Sequence, residues 1–387
     1  MSTNKENNTL RRLLKATGSV ILCVLSLCLM IPMIGGLAFG SENTPAAPEP
    51  VPSVSVIDSF DSFVSGNLSE AEEAARTVRK RFWIEQDAIL PPEPRQEHYG
   101  QAQSAAELQW LLDEAQPLLD GQDTLFHTGI EILEGSVINY YLDESILAIT
   151  WKQVMDNFVY TISEVKIQDP SQFRRYVADN QFDLFKYYHT TEMSEMNNAV
   201  VASSADFYKN RNYGIVVYDK EVKRVTVPNL ADTCFIDVNG DLIFTYRGEL
   251  MDEETAQKFV DDNEILFSLA FGPILVDNGV RCEPPNYALG EINDPYPRAA
   301  LCQMDKLHYL VVAATAEGRF TRYTDIHDFA KNIATFGCQK AYTLDGGRTV
   351  TIAMNHQLIN KVNYGEPRSI SDIIFFATAV PNYNEAQ

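Results

Sequence analysis

Ala341-Tyr-Thr-Leu-Asp345-Gly-Gly-Arg-Thr-Val-Thr-Ile-Ala-Met354 reads as two strand-like runs broken by a tight turn. Neither Gly346 nor Gly347 carries a Cβ, so the backbone there is free to turn sharply and to approach a bound group closely. Two readings of Asp345 follow. Asp-Gly between apolar runs is a hairpin signal. A carboxylate held at such a turn is also well placed for chemistry. The residues around this stretch have to choose between them.

Working outward, the 387 residues are 45% hydrophobic and 11% aromatic, enough for one large domain plus an anchor, or for two domains. The formal charge of −22 argues against a nucleic-acid partner, whose phosphates call for Lys and Arg. The segment 1–41 runs against this balance: Lys5, Arg11, Arg12 and Lys15 face only Glu6. Ala16–Ser41 then carries no charge and exceeds the roughly 20 residues that cross a bilayer. Basic residues before it predict a cytoplasmic tail 1–15, a transmembrane anchor 16–41 and an exported remainder. Ala38-Phe39-Gly40 also fits a signal-peptide cleavage site, but the length of the apolar run favours the retained anchor. The expected location is therefore the cell membrane, single-pass, with the C-terminal domain extracytoplasmic.

A proline-rich linker, 42–68, comes next and should be extended and semi-rigid. Ser69-Glu-Ala-Glu72 and Ser104-Ala-Ala-Glu107 are capping boxes, predicting helices towards Ile89 and Leu119 and a helical stalk over 69–120. Trp83 and Trp110 are expected in its packed face. From residue 121 to 382 the pattern turns to strands, around Ser136–Tyr141, Ile146–Trp151, Phe158–Lys166, Ala199–Ser203, Tyr213–Tyr218 and Thr233–Val238. Asn239-Gly240 reads as a two-residue hairpin turn. Helices are expected at Pro170–Ala178, Glu253–Val260 and Ile326–Phe336, the last stopped by Gly337. The predicted fold class is α+β: a large, mostly antiparallel or mixed sheet with flanking helices, preceded by a transmembrane helix and a short helical stalk.

Familiar catalytic signatures are missing. The sequence holds no Gly-x-Ser-x-Gly elbow, no His-Glu-x-x-His, no P-loop and no Gly-x-Gly-x-x-Gly after a strand. Its six histidines show no ligand spacing, and its cysteines lack the paired spacing of a zinc site. No metal and no cofactor is expected. Cys234, Cys282, Cys302 and Cys338 are expected to be isolated, mostly buried thiols.

Six separated stretches, in order, decide the matter: Ala202-Ser-Ser-Ala-Asp206-Phe207-Tyr208, Tyr213–Arg224, Phe271–Gly279, Pro297-Arg298-Ala-Ala300, Tyr342-Thr-Leu-Asp345-Gly346-Gly347 and Pro367-Arg368-Ser-Ile-Ser-Asp372. Together they resemble the phosphodiester glycosidase family over roughly residues 121–380. The resemblance implies a hydrolase that splits a sugar C1–O–phosphate bond, with a phosphate-linked sugar or polysaccharide of a bacterial envelope as partner. Such a reaction passes through an oxocarbenium-like state helped by carboxylates, and arginine forks suit the phosphate. The resemblance places Asp345, Arg298 and Asp206 in catalytic roles, and Gly346, Gly347, Arg348, Thr349, Arg368 and Ser204 against the substrate.

The chain also departs from that pattern. Where relatives carry Asn, it has Ser204 and Thr343, and their Gly-Ser-Ser-Thr is here Arg348-Thr349-Val350-Thr351. An amide both donates and accepts, which a hydroxyl replaces only in part. A catalytically silent glycan-binding or assembly protein using the same pocket is the alternative expectation.

Overall fold

The computed structural model describes residues 90–381, apart from 129, 184, 227–229, 250–251 and 285–292. The expected cytoplasmic tail, membrane anchor, linker and first stalk helix lie outside the described residues. No helix among the described residues is long and apolar enough to cross a membrane.

Among the described residues the fold is mostly β, which corrects the α+β expectation. The strands form four sheets, and every pairing is antiparallel. The largest has nine strands: Tyr99–Ala102, Ile138–Leu142, Ile146–Met155, Phe158–Ile167, His308–Thr315, Arg298–Asp305, Lys340–Leu344, Ile274–Asp277 and Val280–Arg281. A five-stranded sheet runs Gln357–Leu358, Ile352–Met354, Ala199–Ser204, Asp372–Ala377 and Phe173–Val177. Three strands, Leu242–Thr245, Thr233–Asp237 and Ile265–Leu269, make a third sheet, and Ile215–Tyr218 with Glu221–Val225 a separate hairpin.

Strand periodicity explains how these layers stack. Along His308–Thr315, Tyr309, Val311 and Ala313 join the core shared with the smaller sheets, whereas Leu310, Val312 and Ala314 face the other way. A period of two puts alternate side chains on opposite faces, so a strand buried on both faces reads as a continuous apolar run. Helices cover the outer face. Ile326–Ala334 contributes Ile326, Phe329, Ala330 and Ile333 to that side.

Two helical expectations change. The second stalk helix is a short 3-10 turn followed by Gln109–Glu114 and Gln116–Leu119. Its stripe Leu108, Leu111, Leu112, Ala115 and Leu119 is buried against the large sheet, so this part of the expected stalk is a lid on the domain. Trp110 stands on the opposite side of that helix, 52% exposed, and is not a core residue. Pro170–Ala178 is also not a helix. Asp169 does cap, accepting from Ser171 N–H at 2.9 Å, but the 3-10 turn stops at Gln172. Phe173–Val177 then enters the five-stranded sheet opposite Asp372–Phe376, and the Phe173 ring stacks on Phe376 at 4.8 Å. Burial of an aromatic in the shared core outweighs a local cap worth about 1 kcal/mol. The Asn239-Gly240 hairpin forms between the expected strands but with a longer turn than two residues: Asp237 N–H donates to the Asp241 carbonyl at 3.2 Å, and Asp237 Oδ1 accepts from Asn239 N–H and Asp241 N–H.

Candidate active site

Asp345 occupies the seam between the two main sheets. Lys340–Leu344 belongs to the large sheet and Ile352–Met354 to the five-stranded one, so the turn between them is no hairpin. It carries the chain from one layer to the other. The Asp345 N–H donates to the Ala205 carbonyl at 3.1 Å, just past the end of Ala199–Ser204. Gly347, at φ +71°, donates its N–H to the Pro297 carbonyl at 2.9 Å. A Cβ on Gly347 would stand 2.9 Å from the Tyr296 ring, so both the left-handed backbone and the close approach require glycine. The 3-10 turn Gly347–Thr349 is tied by the Thr349 hydroxyl, which donates to the Gly346 carbonyl at 2.8 Å.

The Asp345 carboxylate is 5% exposed and has partners on both oxygens. Oδ1 accepts from Gly346 N–H at 2.7 Å, and Oδ2 from the Arg368 guanidinium at 2.9 Å. Burial pushes its pKa up to about 6, against the pull of Arg368, the Thr349 hydroxyl, Gly346 N–H and Arg211. Arg368 is half-exposed, and its Cζ sits over the Phe207 ring, 4.7 Å from the centroid. It lines a cleft of about 510 Å³ together with Tyr187, Phe207, Asn210, Arg348, Pro367 and Ser369. Arg348 is exposed at the rim, its Nε donating to the Glu366 carbonyl at 3.0 Å. Two predicted residues, Arg348 and Arg368, thus line one opening, and Asp345 lies buried behind Arg368, with Gly346, Gly347 and Thr349 shaping its turn.

Asp206 and Arg298 are placed elsewhere. Asp206 is buried with Oδ1 on Phe207 N–H and Oδ2 on Ala270 N–H, at 2.6 and 2.8 Å. Its other neighbour is Arg175, 3.7 Å away, which pairs with Asp372 at 2.6 Å. Burial pushes the Asp372 carboxyl up, Arg175 pulls it down, and the Asp206 charge adds to the rise. Burial alone would lower Arg175, but Asp372 and Asp206 outweigh it and keep the guanidinium charged. This triad fixes the backbone that presents Phe207, and so supports Arg368 from below. Arg298 opens its strand beside the turn, yet its guanidinium donates to the Asp294 carbonyl and lies near Asp325. Burial lowers its pKa to about 10, with Asp325 and Asp294 opposing. Ser204 and Thr343 are buried, and neither hydroxyl has a hydrogen-bond partner among the described residues.

Residues 197–377 match the phosphodiester glycosidase family. All six stretches read from the sequence fall inside this span, so the resemblance to phosphodiester glycosidases is borne out there; the strands from Tyr99 to Val177 lie before it. No curated protein matches the chain. Among solved structures, the chain is similar to a hypothetical protein from Synechocystis at 13% identity and a TM-score of 0.45, covering 62% of this chain and 63% of that one. It is also similar to the catalytic domain of zebrafish N-acetylglucosamine-1-phosphodiester alpha-N-acetylglucosaminidase, auto-inhibited by its pro-peptide. There the identity is 14% and the TM-score 0.45, over 76% of this chain and 98% of that one.

Sequence reasoning missed Arg211 and Asn210. Arg211 stacks on the Phe271 ring at 4.2 Å, donates to the Phe271 carbonyl at 3.1 Å, and adds its positive field at Asp345. Both come within three residues of Tyr208, so an arginine shortly after a singled-out strand end was the available signal. Tyr187 had none, because it reaches the cleft from a loop far away in the chain.

Proposed function

We propose that this chain is a phosphodiester glycosidase-like hydrolase that removes a sugar from a glycosyl-1-phosphodiester. It would act outside the cytoplasm on bacterial envelope or secreted polysaccharide, tethered by the apolar run Ala16–Ser41. One observation carries the reading: a buried carboxylate, Asp345, is bonded to Arg368, which lines a cleft that a second arginine, Arg348, also lines. The guanidinium groups suit the two non-bridging oxygens that share the single charge of a phosphodiester. In the proposed step, water bonds to the anomeric carbon as the C1–O bond breaks, and the electron pair leaves on the phosphate. Arg348 and Arg368 offset that charge. Asp345 faces the positive charge growing on the sugar ring and takes the proton from water. The phosphate is already a good leaving group, so a second carboxylate is not demanded, which fits the placement of Asp206.

The test is release of free sugar from a panel of glycosyl-1-phosphodiesters, with N-acetylglucosamine-1-phosphate methyl diester first. Wild-type release that is lost in Asp345→Asn and loses affinity in Arg348→Ala supports the proposal; no release from any member defeats it. A second reading, a catalytically silent glycan-binding protein, is favoured by the ion pair that occupies Asp345 Oδ2 and by Arg348-Thr349-Val350 in the turn. Glycan binding without turnover would select it.

A further inference from the structure

Beside the Gly347 turn is a group of rings that belongs to none of the hydrophobic cores. Tyr296, against Gly347, lies 5.6 Å from Tyr364 between ring centroids, and Tyr364 lies 5.1 Å from Tyr323. The planes are tilted by 42° and 41°, and Tyr364 is 50% exposed. The group is held through its backbone. Tyr296 N–H donates to the Thr324 carbonyl at 3.1 Å, which ties Tyr296 to the residue after Tyr323. Asn363 anchors the loop beneath, exchanging two hydrogen bonds with the Ala316 backbone at 2.8 and 3.0 Å. At the other end of the same loop, Arg368 N–H donates to the Arg348 carbonyl at 3.2 Å.

That loop joins the rings to the cleft. Tyr364 is three residues before Pro367, so the two stand at most about 10 Å apart along the chain, roughly two pyranose lengths. We propose that Tyr364, Tyr323 and Tyr296 form a stacking platform for a second pyranose ring of a saccharide whose phosphodiester is held by Arg348 and Arg368. This rests on the reading above and extends it from a single sugar to a chain. A pyranose has an apolar C–H face and a hydroxyl rim, and a phenol matches both with an apolar face and a polar tip. The platform asks for no charge, which suits a chain of formal charge −22 whose cleft arginines already meet the anionic part of the ligand.

The experiment compares N-acetylglucosamine-1-phosphate methyl diester with its chitotriosyl counterpart. Tyr364→Asn tolerates the positive φ of 62° that alanine would strain, and Tyr323→Ala removes the second ring. Each variant should lower the ratio of kcat/KM, long over short, by about 5- to 10-fold, the scale of one aromatic contact. Tyr364→Phe should keep the ratio. A ratio unchanged in both ring-removing variants overturns the platform while leaving hydrolysis intact. If no diester is cleaved, NMR titration with chitotriose decides separately: binding lost in folded Tyr364→Asn supports the platform, and no binding to the wild type, or equal binding to both, overturns it.

Discussion

Replacing Asp345 by asparagine should stabilise this fold at neutral pH while abolishing the proposed activity. The carboxyl stands at about 6 in the folded chain against an ordinary value of 3.8. Between about pH 4 and 6 the folded chain therefore holds a proton that the unfolded chain has released, and the wild type loses stability as pH rises through that window. The full loss is about 3 kcal/mol, of which about 2 kcal/mol falls between about pH 4.5 and 7.5. Asparagine does not titrate, so it escapes this loss. It has one carbonyl oxygen for two donors, Gly346 N–H and Arg368, a pH-independent cost of about 1 kcal/mol. The variant should then be more stable by about 2 kcal/mol at neutral pH. Urea unfolding of both proteins at about pH 4.5 and 7.5 checks it, because every other group titrates in both and cancels in the difference. An advantage equal at the two pH values, or larger in acid, would refute the argument that burial of an ionised Asp345 carries a penalty.

Three further outcomes follow from the same geometry. Gly347→Ala meets both a φ of +71° and the Tyr296 ring at 2.9 Å, so thermal melting should show a loss of about 1–3 kcal/mol, and an unmoved midpoint would mean that the turn relaxes freely. Arg368→Gln removes the group that pulls Asp345 down, so the acid limb of a pH–rate profile should move to higher pH; a stationary limb would detach Asp345 from that limb. Arg175→Met leaves Asp206 and Asp372 buried side by side, and denaturant unfolding should report a loss of about 3–5 kcal/mol, with a loss under about 1 kcal/mol showing that the triad is not what holds the Phe207 backbone.

Much of the site was legible because it is local. Asp345, Gly346, Gly347, Arg348 and Thr349 are consecutive, and a carboxylate before two glycines signals a constrained turn whatever surrounds it. Arg368 was legible only through the family resemblance. The fold class was harder. Phe173–Val177 follows a genuine helix cap, and nothing in its neighbourhood reveals the partner strand Asp372–Ala377, nearly two hundred residues on. Short apolar runs leave helix and strand undecided until a partner is known. Leu108–Leu119 kept the helical period read from it, but periodicity names an apolar face without naming what covers it.

By itself the sequence determined the main strand runs, the Asn239-Gly240 hairpin, the Asp169 cap, the turn chemistry at Asp345 and a family likeness carried by six ordered motifs. Only the tertiary structure decided that the Asp345 turn crosses between two sheets, that Arg368 meets its carboxylate, and that Asp206 and Arg298 turn to other partners. The reason is physical. Local conformation follows from neighbouring residues, whereas the direction of a buried charge is fixed by which distant groups satisfy it once water is gone.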